Sequence, residues 1–383
     1  MTFKSKLPDV GTTIFTVMSK MAADHDAINL SQGFPDFAVP TGLLERLNHY
    51  AGQGFNQYPP MHGIPYLREQ IRNKVKCCYN ADYDEESEVT VVSGATEGLF
   101  VAIQTVVHEG DEVIVFDPAY DAYDPAIHLA GGKAIHLPLA APEFSIDWQR
   151  VSDAITPRTR AIVINSPHNP TGSVLAPEDL EHLARLVETT GIFVISDEVY
   201  EHMTFNGLDH QSLCLKDTLR ERTFIISSFG KTYHATGWKV GYCLAPEGLT
   251  TEFRKIHQFV TFTTHTPSQW AIADFLAHHP EHHEELPAFY EKKRDLFLKA
   301  IDGLGFSLAA SRGTYFQLAD YAALSDESDQ SFVAALTQDA GVAAIPVSVF
   351  YETPPEQKLI RFCFAKEDAT LQQAADRLRE FFS

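Results

Sequence analysis

Cysteine is scarce: five residues in 383, at 77, 78, 214, 243 and 363, an odd set with neither CxxC nor zinc-ligand spacing. That excludes a disulfide framework and reads as reduced thiols in a cytosol. Long apolar runs are missing, none approaching the roughly 18 residues of a membrane span, and residues 1–10 lack the apolar stretch of a secretory leader. Basic residues are few. Thirty Lys and Arg stand against fifty-one Asp and Glu, a formal charge of −21 spread along the chain, so no basic stripe is available to follow a phosphate backbone. Nucleic acid and anionic membrane are therefore not expected partners. Internal repeats, low-complexity tracts and flexible linkers are lacking as well. A soluble cytoplasmic protein is expected.

What is present suffices for a large core. At 383 residues and 44% hydrophobic composition the chain exceeds one average domain. Residues 42–50 and 64–79 read as helices; in the second, Ile64, Leu67, Ile71 and Val75 recur at three- and four-residue steps. From Val89 onward, short apolar runs at 89–93, 112–117, 133–137, 161–165, 193–197, 224–228 and 240–244 alternate with helical patterns. The alternation predicts an α/β domain with a mostly parallel seven-stranded sheet and helices on both sides. Beyond Phe253, helical material running through Phe275 and over 286–304 precedes strand-like 315–318, 342–345 and 359–364 and a terminal helix at 371–382. A smaller α+β domain is expected there. The boundaries are set at 43–276 for the large domain and at 1–42 with 277–383 for the small one. Residues 8–21 read as a short mixed segment, and 27–37, with Gly33 and Pro35, as a stiff loop. The histidine-rich run at 278–285 is broken by Pro280 and lacks a coordination pattern, so it reads as a solvated helix start and no metal is expected.

Polar chemistry follows five of the strands, at 93–96, 117–120, 165–169, 197–200 and 228–231, where ligands of open α/β sheets bind. The stretch SSFGKTYHATGWKVG at 227–241 carries the strongest signal. A lysine held among aromatic and small residues loses water, which disfavours its charged form and frees its amine to attack an aldehyde. Ser228 before Lys231, and Lys239 after it, could both serve a phosphate. Together they suggest an aldehyde cofactor carrying phosphate. SGATEG at 93–98 leaves a strand for a helix, so its free N–H groups and positive dipole end make an anion site. Asp197 ends a buried apolar strand, where a carboxylate needs a positive partner: an ion pair of the protein, or a protonated pyridine nitrogen. Asn169, between prolines, is either a turn residue or a donor to a phenolate oxygen.

These motifs resemble the fold-type I pyridoxal-phosphate enzymes of the class I/II aminotransferases, and more narrowly the kynurenine/glutamine aminotransferase branch that includes bacterial methionine aminotransferases. The resemblance runs from about Leu7 to Phe382 and is carried by SQGFPDF at 31–37, NQY at 56–58, PHNPTG at 167–172, SDEVY at 196–200, SFGKT at 228–232, TGWKVG at 236–241 and IRFCFA at 360–365. It implies pyridoxal 5′-phosphate as cofactor and assigns roles by position. Lys231 would bind the cofactor aldehyde and then carry the proton between substrate Cα and cofactor C4′. Asp197 would keep the pyridine nitrogen protonated. Asn169 and Tyr200 would hydrogen-bond the 3-oxygen, and Tyr120 would stack on the ring. Ala95, Thr96, Ser228 and Lys239 would hold the phosphate, with Tyr58 reaching in from a second subunit. Arg361 would clamp the substrate α-carboxylate, helped by Asn169 and the Gly33 backbone.

Two features bear on specificity. Lysine stands at 239, where many aminotransferases have arginine, as is usual in the branch named. Nothing matches the second arginine that aspartate aminotransferases use for a side-chain carboxylate. Phe15, Tyr123 and Phe262 lie where they could line an apolar pocket, and each taken singly also reads as core. The expectation is a homodimeric aminotransferase with shared sites, moving the amino group of methionine, glutamine or aromatic amino acids to a 2-oxo acid by ping-pong half-reactions. The alternatives are a carbon–sulfur β-lyase, since the same cofactor chemistry can expel a Cβ leaving group, and a pyridoxal-phosphate-dependent regulator.

Overall fold

The seven apolar runs predicted as strands assemble into one sheet, ordered Val89–Val92, Gly241–Leu244, Thr223–Ser228, Phe193–Asp197, Thr159–Asn165, Glu112–Asp117, Lys133–Pro138. The computed structural model describes residues 4–383; residues 1–3, which begin the segment read above as free of a leader, lie outside it. Gly241–Leu244 runs antiparallel to both its neighbours and every other pairing is parallel. All strands but that one therefore point the same way, and the polar residues that follow them meet along one edge.

Alternate residues of the central strands feed two cores. Ile114, Ile162, Val194 and Ile225 face one, with Leu67, Ile71, Leu183 and Ile272 of covering helices. Val113, Val163, Ile195 and Ile226 face the other, with Val101, Ile127 and Phe253. Burial on both faces explains why these strands read as unbroken apolar runs.

A third core joins the two ends of the chain. Met18 and Leu30 pack with Tyr290, Phe297, Phe316, Phe362 and Leu378. Here a three-stranded antiparallel sheet, Ile345–Pro346, Leu359–Cys363, Phe316–Asp320, is backed by the helices Glu281–Ile301, Asp329–Gln338 and Asp368–Phe381. Tyr200, Met203 and Phe205, which follow the Phe193–Asp197 strand, reach into this core and connect the layers.

Several elements differ from expectation. The mixed segment 8–21 contains the helix Ile14–Asp24, whose start is capped by Thr13 accepting from the Thr16 N–H. The loop 27–37 begins with a two-residue strand, Ile28–Asn29, paired in parallel with Val342–Ala343. The run 342–345 accordingly splits, Val342–Ala343 in that pair and Ile345–Pro346 in the three-stranded sheet. The histidine-rich run does begin a helix, at Glu281, but it is only partly solvated. His283 is buried against His202, ring centroids 4.8 Å apart, and His282 Nε2 lies 2.9 Å from the Thr232 carbonyl. Among the described residues no cluster of three or more His, Cys, Asp and Glu could hold a metal, and no helix is long and apolar enough to cross a membrane.

Candidate active site

The strand ends and the chain-terminal core enclose a cavity of about 290 Å³. Phe15, Gly33, Ala95, Thr96, Tyr120, Asn169, Asp197, Tyr200, Ser228, Lys231, Lys239 and Arg361, all candidates from sequence, line it. They come from eight separated stretches of chain, and only the fold brings them together.

One end is built to hold an anion. The helix Ala95–Val106 starts at Gly94, which has no side chain to cap it, leaving the first N–H groups for an outside acceptor. Gly94 has φ +79°, and a Cβ there would lie 3.1 Å from Lys239 Nζ, so glycine keeps the ammonium against the helix start. Lys239 itself adopts a left-handed φ of +53°, which turns the chain back into the Gly241–Leu244 strand. Ser228 and Gly241 are register partners, so hydroxyl, helix start and ammonium share one strand end.

Lys231 follows in the short helix Phe229–Thr232, its amine opening onto the cavity. Nζ donates to the Gly33 carbonyl at 3.1 Å and lies 5.6 Å above the rings of both Tyr200 and Tyr315. Loss of water is the main reason its pKa falls to about 8; the nearby Lys239 and Arg361 charges act in the same direction, while Asp197 opposes. The amine is thus readily neutral, as a nucleophile or proton acceptor must be.

Asp197 is 3% exposed. Oδ2 accepts from the Tyr123 hydroxyl at 2.7 Å and Oδ1 from the Val199 N–H at 3.4 Å. Burial outweighs both bonds and pushes its pKa up to about 6. A carboxylate kept in such a place without a protein cation in bonding contact fits a cationic ligand atom. A phosphate seat, an amine that gives up its proton easily and a buried carboxylate lacking its cation together suit a phosphorylated pyridine aldehyde.

The remaining wall is set for a carboxylate. Arg361, at 0% exposure, donates from Nη1 to Asn169 Oδ1 at 2.7 Å and from Nη2 to the Ser31 carbonyl at 2.9 Å. Its guanidinium stacks 3.8 Å from the Phe316 ring centre, with Phe15 at 5.4 Å and Phe350 at 5.9 Å. Nε is buried with no partner. Burial draws the guanidinium pKa down to about 10, which leaves it charged at neutral pH. With Oδ1 of Asn169 taken by Arg361, its Nδ2 remains to donate elsewhere.

Two residues expected in the cavity, Tyr123 and Phe262, do not line it. The Tyr123 ring is buried behind the cavity wall, where its hydroxyl holds Asp197, so Tyr123 supports the carboxylate and does not shape a substrate pocket. Phe262 also lies outside, 44% exposed at a turn with φ +63°. Its ring packs edge-on against Tyr58, 5.4 Å away and itself 83% exposed. Sequence reasoning missed Ser31, Tyr315 and Phe316. Ser31 acts through its carbonyl, which has no residue signature, and the two aromatics read as ordinary strand residues.

The family profile for aminotransferase class I and II matches residues 25–378. The methionine aminotransferase of Escherichia coli is 51% identical over 377 residues, 98% of each chain. Human kynurenine–oxoglutarate transaminase 1 is 33% identical over 94% of each. The solved structure of YbdL from Escherichia coli, described with a methionine aminotransferase function, superposes with a TM-score of 0.97 at 50% identity, covering 99% of this chain and 100% of that one. A lysine amine, a buried carboxylate and a buried arginine meet in one cavity on this scaffold, and the chain belongs to the class I and II aminotransferases.

Proposed function

We propose that this aminotransferase uses pyridoxal 5′-phosphate, takes methionine, glutamine or an aromatic amino acid as donor, passes the amino group to a 2-oxo acid, and works in the cytoplasm as a homodimer. One observation carries the reading: Lys231, Asp197 and Arg361 line a single cavity whose far end is an anion seat. Ala95, Thr96, Ser228 and Lys239 would hold the phosphate, Tyr120 would stack on the ring, and Asn169 Nδ2 and the Tyr200 hydroxyl would face the 3-oxygen. When bound against Asp197, the cofactor supplies an electron sink. Arg361 fixes the substrate α-carboxylate through guanidinium N–H groups not spent on Asn169 and Ser31, and orients Cα towards Lys231. The lysine amine, poorly hydrated, accepts the Cα proton and would return it on the cofactor side, two atoms away. Ping-pong exchange follows because one lysine and one arginine serve donor and acceptor alike.

The donor reading rests on the cavity lining. Its cationic side chains are Lys231, Lys239 and Arg361, and its apolar wall is Phe15, Phe34 and Phe316. A second substrate carboxylate would lose water there without a partner, whereas a thioether packs on aromatic edges. The name of the 51% identical Escherichia coli relative, methionine aminotransferase, supports methionine among these donors. Tyr58 and Phe262, packed together on the surface, are offered to a second copy. We take 43–276 as the cofactor-binding domain and 1–42 with 277–383 as the small domain, a division supported by the shared core of the two chain ends.

The test is kcat/KM for a panel of donors against one fixed 2-oxo acid, with Lys231→Ala as the control for the chemistry. Methionine, glutamine and aromatic donors are expected to exceed aspartate and glutamate, and Lys231→Ala to abolish turnover. Aspartate as best donor would overturn the pocket reading, and retained transamination in Lys231→Ala would overturn the lysine's role. Pyruvate release from a cysteine conjugate faster than 2-oxo acid release from methionine would favour the β-lyase.

A further inference from the structure

The Gly33 carbonyl serves two donors at once. Lys231 Nζ reaches it at 3.1 Å and the Tyr315 hydroxyl at 2.5 Å. Tyr315 is fully buried, stands edge-on to Tyr200 at 5.1 Å, and leans on Phe316 at 4.9 Å, the ring that carries Arg361. The lysine amine therefore occupies a slot with two tyrosine rings as walls and one peptide oxygen as floor. A glycine peptide turns easily. The Tyr315 hydroxyl restrains this one, and a side chain cannot take over that task, because Phe316 Cζ lies 2.8 Å from where a Gly33 Cβ would sit.

We propose that Tyr315 is a positioning residue for Lys231: its hydroxyl holds the Gly33 carbonyl in the direction from which that oxygen aims the free lysine amine. The inference rests on the reading of Lys231 as proton carrier. A neutral amine has one lone pair, so an N–H committed to Gly33 restricts where that pair points. In the transfer the Cα–H bond breaks, its electrons stay with the substrate, and a new N–H bond forms on the lysine. The resulting ammonium keeps its bond to Gly33, now charge-assisted, between ring faces that favour a cation.

Tyr315→Phe deletes only the hydroxyl. Tyr290→Phe is the matched comparison, because that ring lies 5.7 Å from Tyr315 while its hydroxyl meets His234 Nδ1 at 3.1 Å instead of Gly33. The first readout needs no turnover. Cofactor-free full-length protein is labelled with limiting acetic anhydride, and mass spectrometry follows Lys231 and Lys239 separately. Tyr315→Phe is expected to raise the Lys231 rate about threefold with Lys239 unchanged, a size in keeping with one lost hydrogen bond. In the second readout, on the loaded enzyme, release of the donor's α-deuterium to water is expected to slow about tenfold, with donor affinity within about twofold. Tyr290→Phe should match the parent in both. Unchanged Lys231 labelling and exchange would overturn the proposal. So would a parallel rise at Lys239 with a lowered Tm, which marks general loosening. Turnover by Lys231→Ala would instead overturn the reading beneath it, so the two failures are distinguishable.

Discussion

Arg361 spends two of its five N–H donors on Asn169 and Ser31 and turns the same guanidinium to the cavity, so a substrate carboxylate held there would gain charge-assisted bonds from the rest. Losing a charge-assisted bond of this kind costs about 1.5–3 kcal/mol, or roughly ten- to a hundredfold in affinity. Arg361→Gln is accordingly expected to weaken α-amino acids by that factor and to leave carboxylate-free amines nearly unchanged, as measured by single-turnover titration; equal losses for both would mark the arginine as structural. Residues of this kind were legible in sequence because charge in an apolar strand has few explanations. Tyr123 and Phe262 were not, since type and position alone do not reveal which way a side chain points. The Tyr123–Leu129 helix turns the Tyr123 ring inward beneath Asp197, and a left-handed backbone turns Phe262 out.

Among the elements, the reversing connection between Thr223–Ser228 and Gly241–Leu244 holds the hydroxyl, the reactive amine and the second cation on one short path. The central strands were legible because burial on two faces leaves almost only apolar residues in them. Ile14–Asp24 and Ile28–Asn29 escaped notice because their partners lie some three hundred residues away, and nothing local marks a two-residue strand. The same burial that makes Phe193–Asp197 easy to read makes its last residue costly. Asp197 holds its proton up to about pH 6 when folded and to 3.8 otherwise. The folded state therefore binds the proton more tightly, and stability is lost as pH rises from about 4 to about 6, by about 3 kcal/mol in all. Cofactor-free Asp197→Asn is expected to be more resistant to denaturant than the parent at pH 7.5, with the gap shrinking as pH falls towards 4. With cofactor the parent should gain more than the variant. A gap independent of pH would show that the carboxylate's charge is not the cause.

For the molecule as a whole, Tyr58 and Phe262 stand exposed, an arrangement that suits a second copy. If sites are shared, subunits carrying Tyr58→Phe mixed with subunits carrying Lys231→Ala yield heterodimers in which one site bears both lesions and the other neither. Activity near half of the parent per heterodimer is expected where each variant alone is impaired. No recovery, given demonstrated subunit exchange, would argue for self-contained sites.

The bond from Arg361 to the Ser31 carbonyl spans 330 residues, and Cys363 N–H to Leu30 and Lys366 to Phe34 close the same distance. During synthesis the sheet strands all emerge before Val342, while the segment from Ile14 to Phe37 must wait for the last part of the chain before it can dock. A ribosome therefore releases the strand ends that carry Asp197 and Lys231 well before it releases Arg361. Chains stopped near residue 330 should leave the Ile14–Asp24 helix open to protease while the sheet resists, and on the proposed function such a nascent chain would take up pyridoxal phosphate before it can hold an amino acid.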